Sequence, residues 1–495
     1  MCFGVFVFCE ITCTTMNLQP NSWNLWKISL IVSAVFNVFC VANATFFPNL
    51  YPKLKMDARS PKDAGVPLIL TPYLRKGAIQ LAQNLSRVSL TDTIGFRSHA
   101  GFFTIDDICN SNLYFWYFPP FSKKEEAPVV LWLQGGPGGS SLFGLFVELG
   151  PLIAKKEGFA LRKYHWALNY HLIFIDNPVG TGFSFTENEN GYCTNEDCVA
   201  AGLYEAMKQF YQLFPHLKRN DFYITGESYA GKYIPSLGMV IHQENAKSSE
   251  KINLVGMAMG NAYCDPKNQL DYGTYLYQLG LIDHNQLKVF IKYQDEIANQ
   301  IDQEDWVQAD ILMDRLMDGE LTNFSYFKYF TGFEYYYNFL QTDATEDMIV
   351  FTVLLQNDNV RRSVHVGGRP FDDGQHVQVL LASDLLKTVA PLIEKLLSHY
   401  RIMFYNGQLD IVVAYPLTEN FLRKLNFSAA EDYRTARREV WKVGDEVAGY
   451  VKRAGNLTEV LVRNSGHMVP QDQPKWALDL ITRFIDNDFD FQSLF

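Results

Sequence analysis

A serine, an aspartate and a histidine, each just past an apolar strand-like run, are the residues of this chain best placed to do chemistry. Ser228 lies in Gly226-Glu227-Ser228-Tyr229-Ala230-Gly231, a pattern of the G-x-S-x-G kind with small residues at both glycine positions. Such spacing suits a sharp strand-to-helix turn that presents a serine oxygen, because small neighbours let the backbone pack tightly. Alone, the pattern arises by chance about 0.2 times in a chain of this length at average residue frequencies. The apolar residues 222–225 before it and the helical pattern from Tyr229 onward supply the context it needs. A serine nucleophile requires a base for its proton and a carboxylate to hold that base. Of the ten histidines, His284, His365, His376, His399 and His467 lie well downstream, and His467 follows directly on the apolar residues 460–462. Asp410 ends the stretch YNGQLD, just beyond the apolar residues 402–405. The same serine region also reads G-x-x-x-x-G-K through Lys232, close to a phosphate-binding loop. Tyr233 stands where that loop needs Ser or Thr for magnesium, so nucleotide binding is not expected.

These three residues need a scaffold that brings them together. Residues 112–118 read as an aromatic strand bounded by Pro119 and Pro120, and residues 128–133 as a buried strand running into Gly135-Gly136-Pro137-Gly138-Gly139. Residues 171–175, 254–259, 402–405 and 460–462 read as further strands. Residues 195–214 carry Leu203, Ala206, Met207, Phe210 and Phe214 at helical spacing, and the segment from Tyr229 reads as a helix despite Pro235. Short apolar strands alternating with helices predict an α/β protein with a mostly parallel central sheet flanked by helices. The order Ser, Asp, His is the one found on an α/β-hydrolase sheet. Residues 264–347 change character, becoming helical, charged and aromatic, and are expected to form an inserted helical cap. The expected organisation is a signal peptide (1–44), an N-terminal extension or propeptide-like segment (45–90), the first part of the core (91–263), the cap (264–347) and the second part of the core (348–495).

Net charge is −11, which argues against nucleic-acid binding because that ordinarily needs a basic face. Residues 28–42 form an apolar run of about 15 residues, shorter than the roughly 20 of a membrane span. Lys27 precedes the run and Ala42-Asn43-Ala44 closes it, which is the layout of a secretory signal peptide. A second apolar run at residues 1–8 leaves Met16 as an alternative start and a single-pass anchor as the competing reading. After signal removal no membrane association is expected, and the product is expected to be secreted or lysosomal. Of the eight cysteines, Cys109, Cys193, Cys198 and Cys264 lie outside the leader. Two disulfides are expected, Cys193 with Cys198 by proximity in sequence and then Cys109 with Cys264; free buried thiols are the alternative. Sequons at Asn84, Asn323, Asn426 and Asn456 fit the secretory route. There is no H-E-x-x-H, no paired-cysteine zinc spacing and no G-x-G-x-x-G, so neither a metal nor a cofactor is expected.

From about Asp92 to the C-terminus the sequence resembles the serine carboxypeptidase family, most of all its vitellogenic-like branch. The motifs are LWLQGGPGGSS (131–141), DNPVGTGFS (176–184), TGESYAGK (225–232), YNGQLD (405–410) and GHMVPQDQP (466–474). The resemblance implies an α/β-hydrolase fold with a helical cap, and it selects Ser228, Asp410 and His467 as the catalytic set. It places the oxyanion hole at the N–H groups of Gly136 and Tyr229. It assigns recognition of a peptide's free α-carboxylate to Trp132, Gln134, Gly135, Glu148 and Glu227, and it puts Phe143, Val147 and Met468 near the leaving residue. Two neighbouring carboxyls do not both ionise cheaply, so one of Glu148 and Glu227 is expected to stay protonated at acidic pH and donate to the substrate carboxylate. The sequence departs from the broad family pattern at Gln134, where most members have Asn, and at Gly139, where most have Cys.

The expected function is therefore a serine-type carboxypeptidase that releases C-terminal residues of peptides through an acyl-enzyme, favoured at acidic pH. Its alternatives are an acyltransferase on the same scaffold, or a non-catalytic protective or binding protein. Oligomeric state is left open.

Overall fold

A computed structural model describes residues 60–342, 348 and 350–489. Ten strands form one sheet: β1 (His99–Asp106), β2 (Ser111–Phe118), β3 (Val129–Leu133), β4 (His171–Ile175), β5 (Phe222–Glu227), β6 (Leu254–Gly260), β7 (Arg401–Gly407), β8 (Glu439–Val443), β9 (Glu446–Ala454) and β10 (Leu457–Val462), in the order β1-β2-β4-β3-β5-β6-β7-β10-β9-β8. The neighbours from β4 through β10 pair in parallel, and antiparallel β1-β2 and β9-β8 close the two edges. The sheet is thus mixed, with a parallel centre. The central strands are apolar runs rather than alternating ones because helices cover both faces. β3 (VVLWL) and β4 (HLIFI) are buried at every position.

Helix α1 (Glu196–Leu213) starts where Asn195 accepts the N–H of Cys198, an N-cap that satisfies an otherwise orphan donor. Helix α2 (Ala230–Lys247) follows Ser228 and tolerates Pro235 near its start. Residues 60–94 are largely helical and pack on β1, with Leu70, Leu74, Ala82 and Val88 buried in the core. Between β6 and β7 lie α3 (Tyr272–Gln278), α4 (His284–Asp302), α5 (Trp306–Met317) and α6 (Tyr326–Thr331). Helix α4 opens with a capping box between Asp283 and Gln286. Tyr272 Oη donates to Val412 O at 2.9 Å, tying this helical region to the loop after β7. Among the described residues, no single helix is long and apolar enough to cross a membrane.

The cysteine expectation is half right. Cys193 and Cys198 form a disulfide, with Cα atoms 5.5 Å apart. Cys109 and Cys264 are instead both free and buried, which corrects the expected second bridge. Cys109 lies in the β1-β2 turn, and Cys264 follows β6 with its Sγ 3.2 Å from Gly231 O. Three strands separate β2 from β6. At about 4.8 Å per strand that exceeds the roughly 7 Å Cα limit of a disulfide. The expected signal peptide, residues 1–44, lies outside the described residues.

Candidate active site

Strand β5 ends at Glu227, and Ser228 turns with φ +61° before α2 begins at Ala230. A non-glycine residue in the left-handed region is uncommon and costs of order 1–3 kcal/mol, so the surrounding structure must impose it. Glycine at 226 is part of how it does so. A Cβ there would lie 2.2 Å from Leu133 O and 2.9 Å from the Ala230 Cβ, so only glycine lets β5 turn against β3. This is the strained elbow that the spacing predicts.

His467 and Asp410 sit in the loops after β10 and β7, and both are fully buried. His467 Nδ1 lies 2.8 Å from Asp410 Oδ2, while Nε2 is buried and makes no hydrogen bond among the described residues. Asp410 Oδ2 also accepts from Asn261 Nδ2 at 2.7 Å and Val413 N–H at 3.2 Å, and Oδ1 accepts from Val412 N–H at 3.0 Å. Several donors on one carboxylate fix it as an acceptor for the imidazole N–H, which leaves Nε2 as the nitrogen able to take a proton. Asn261 was not singled out from the sequence. Its signal was an Asn directly beyond the buried strand β6, the same placement that marks Asp410 and His467.

The glycine-rich loop after β3 reaches the elbow. A Cβ on Gly135 would stand 2.6 Å from Ser228 Cβ and 2.7 Å from Tyr229 N, so the two backbones touch beside the serine. Asp176 braces this loop: Oδ1 accepts from Ser140 Oγ at 2.6 Å and Oδ2 from Phe183 N–H at 2.9 Å. Burial pushes the Asp176 carboxyl up to about 6, against those hydrogen bonds. DNPVGTGFS thus supports the loop.

Trp132, Gln134, Glu148 and Glu227 form one buried network. Gln134 Oε1 accepts from Trp132 Nε1 at 2.7 Å, and Gln134 Nε2 donates to Glu148 Oε1 at 3.0 Å and Glu227 Oε1 at 2.7 Å. The longer amide at 134 therefore reaches both acids. Glu148 closes a π-helical turn, Gly144–Glu148, whose glycine packs on the network: a Cβ at 144 would lie 2.2 Å from Trp132 Nε1. Gly144 is a second residue the sequence did not flag. The two carboxyls share the Gln134 amide; burial pushes Glu148 up to about 7, and burial together with the charge of Glu148 pushes Glu227 well above the carboxylate range. One proton shared between two acids is the arrangement this implies.

Met468 is buried next to His467, and Phe143 and Val147 are buried on the turns leading to Glu148. Phe143 packs towards Phe351, with ring centroids 6.4 Å apart. Lys232, the would-be phosphate lysine, is buried and donates to Asp384 O at 2.9 Å and Lys387 O at 2.5 Å, so it faces the interior. Asn84, Asn323 and Asn426 are exposed, whereas Asn456 is part-buried and its Nδ2 donates to Leu397 O at 2.9 Å.

Fold and elbow together define an α/β hydrolase. The sequence profile of the serine carboxypeptidase family matches residues 89–487. The venom serine carboxypeptidase of Apis mellifera is 50% identical over 455 residues, covering 91% of this chain and 97% of that one. The vitellogenic carboxypeptidase of Aedes aegypti is 48% identical over 475 residues, covering 94% and 99%. A probable serine carboxypeptidase, CPVL, of Homo sapiens is 44% identical over 467 residues, covering 93% and 97%. The crystal structure of the prohormone-processing carboxypeptidase Kex1 from Saccharomyces cerevisiae aligns with a TM-score of 0.71 at 23% identity, over 82% of this chain and 96% of that one, a likeness of fold. The chain belongs to the serine carboxypeptidase family and is a serine-type carboxypeptidase, a hydrolase that acts on peptides.

Proposed function

We propose that Ser228 is the nucleophile, His467 Nε2 its general base and Asp410 the acceptor that orients the imidazole. In this reading Ser228 Oγ attacks the C-terminal peptide carbonyl and His467 takes the hydroxyl proton. The N–H groups of Gly136 and Tyr229 receive the oxyanion. His467 then returns the proton to the departing amino group, and water resolves the acyl-enzyme by the same steps.

The observation that carries exopeptidase action is the Glu148–Glu227 pair held by Gln134 directly beside the elbow. A protonated pair donates to the substrate's α-carboxylate, with Trp132 and Gly135 alongside; a fully ionised pair repels it. Binding is therefore strongest below the pair's apparent pKa, which makes the enzyme an acidic-pH carboxypeptidase. Phe143, Val147 and Met468 favour an apolar leaving residue. The vitellogenic-like branch is supported by Gln134 and Gly139. The lysine-led apolar run 28–42 and the exposed sequons Asn84, Asn323 and Asn426 favour a glycosylated, secreted or lysosomal product; the engaged amide of Asn456 makes that sequon the poorest acceptor.

The test is release of the C-terminal residue from an N-blocked dipeptide between pH 4 and 8, by wild type and Ser228→Ala. Wild-type release strongest at acidic pH and abolished in the variant is expected. Equal release by the variant would overturn the nucleophile, and none from folded wild type would turn attention to acyl acceptors other than water.

A further inference from the structure

The loops bearing Asp410 and His467 touch a common third segment, residues 335–339, which follows helix α6. Its consecutive carbonyls are shared between them: Tyr336 O accepts the N–H of Ile411 at 3.0 Å, and Tyr337 O accepts the N–H of His467 at 2.7 Å. Phe339 N–H donates to Leu409 O at 2.9 Å, and Leu409 N–H donates to Ser465 O at 2.8 Å. The strap, the acid loop and the base loop are thereby laced into one unit. Each end of the strap has its own anchor. Tyr336 Oη donates to Asp318 Oδ1 at 2.6 Å, just past the C-terminus of α5. Asn338 Nδ2 donates to Asp472 Oδ2 at 3.2 Å, and the same oxygen accepts the N–H of Gly466 at 2.7 Å. Gly466 permits the approach, since a Cβ there would lie 2.2 Å from Tyr337 O.

The Tyr337 ring completes the arrangement. It packs against the His467 imidazole with centroids 5.1 Å apart and planes at 62°. The imidazole has one side-chain hydrogen bond, at Nδ1, and a single bond leaves the ring free to tilt about it. A general base must hold Nε2 aimed at the serine, and a displacement of about 1 Å at such a point costs about 100-fold in rate. The aromatic wall removes that tilt.

We infer that Tyr336 and Tyr337 are positioning residues for the hydrolysis: the strap from the cap region holds the acid and base loops in register, and the Tyr337 ring fixes the imidazole plane. The inference rests on the triad reading above. It makes turnover depend on the cap region, through residues that contact the acid and base loops and the imidazole. Their loss would lower kcat with little effect on KM.

The experiment compares Tyr337→Leu, Tyr337→Phe and Gly466→Ala with wild type and Ser228→Ala on an N-blocked dipeptide, with reactive sites counted by a fluorophosphonate probe. Per titrated site, Tyr337→Leu is expected to lose about 10- to 100-fold in kcat with KM within about twofold, and Tyr337→Phe to stay within about threefold of wild type. Gly466→Ala, which pushes against the strap's backbone at Tyr337 O while leaving the tyrosine side chain in place, is expected to repeat the Leu result. An unchanged kcat per site in Tyr337→Leu, a loss that falls on KM, or a Phe variant as impaired as Leu overturns the inference. Should Tyr337→Leu not fold, Gly466→Ala decides by the same criteria. Full activity in Ser228→Ala would instead overturn the triad reading itself.

Discussion

Two buried groups of charged side chains include close sequence neighbours of Ser228, Glu227 in one and Lys232 in the other, and they are built on opposite rules. In the one, Glu148 and Glu227 are joined by a neutral amide, and burial raises both. In the other, Glu196 on α1 and Lys232 on α2 face Asp384, whose Oδ2 accepts the Glu196 N–H at 3.2 Å and whose Oδ1 lies 3.0 Å from Lys387 Nζ. There burial pushes Glu196 up to about 8 and Lys232 down to about 8, each opposed by the other's charge. The second group supplies its own cation and ties α1, α2 and the segment after residue 384 together. The first, among the described residues, has no cation among its hydrogen-bond partners, and burial raises its acids toward the protonated form instead. Under the proposed function, a carboxyl pair that costs stability at neutral pH is explained by use rather than by folding, as a donor held for the substrate's carboxylate.

That contrast predicts different failures in the two groups. The largest is Lys232→Met, which leaves buried acids without their cation and is expected to cost about 3–5 kcal/mol. Urea unfolding at pH 7 measures it, and a cost below about 1 kcal/mol would mean the group is not compensated as described. Next is pH. Glu148 binds its proton more tightly folded, near 7, than unfolded, near 4.5, so the folded state carries the extra proton between those values. Stability therefore falls as pH rises through that window, by on the order of 3 kcal/mol. Glu148→Gln should flatten that part of the slope, and an unaltered slope would remove the pair's claim to a shared proton.

A smaller effect separates donor from charge. Wild-type KM is expected to rise about tenfold per unit once pH exceeds the pair's apparent pKa. Glu227→Gln keeps a donor at every pH, so its KM should stay flat from pH 4 to 8; a parallel rise would shift the pH dependence to another group. The smallest is Lys387→Ala. Lys387 is 46% exposed beside a nearly buried Asp384, and its loss is expected to cost less than about 1 kcal/mol in the same urea assay.

Much of the site was legible because its signals are local. The residues around Ser228 announce a strand, a tight turn and a helix within a short stretch, and Asp410 and His467 each follow an apolar run directly. The parallel strands were legible because burial on both faces makes them continuously apolar. The edge strands β1 and β8 and the neighbouring β9 were not; β8 mixes exposed and buried positions, and β9 carries Lys452 and Arg453 among its apolar residues. Asn261 was passed over because a lone Asn after a strand reads equally well as a turn residue; only its 2.7 Å bond to Asp410 gives it meaning.

By itself, then, the sequence determined the class of chemistry, the three residues proposed to carry it, their order along the chain and the strands that end beside them. Each of those depends on side-chain type and on spacing within a few residues. The tertiary structure decided what depends on distance across the chain. It kept Cys109 and Cys264 apart with strands between them, let Gln134 reach both Glu148 and Glu227, turned Lys232 inward to Asp384, and laid Tyr336 and Tyr337 across the Asp410 and His467 loops. Contacts between segments separated by tens or hundreds of residues leave no period and no fixed spacing in the sequence; packing alone creates them.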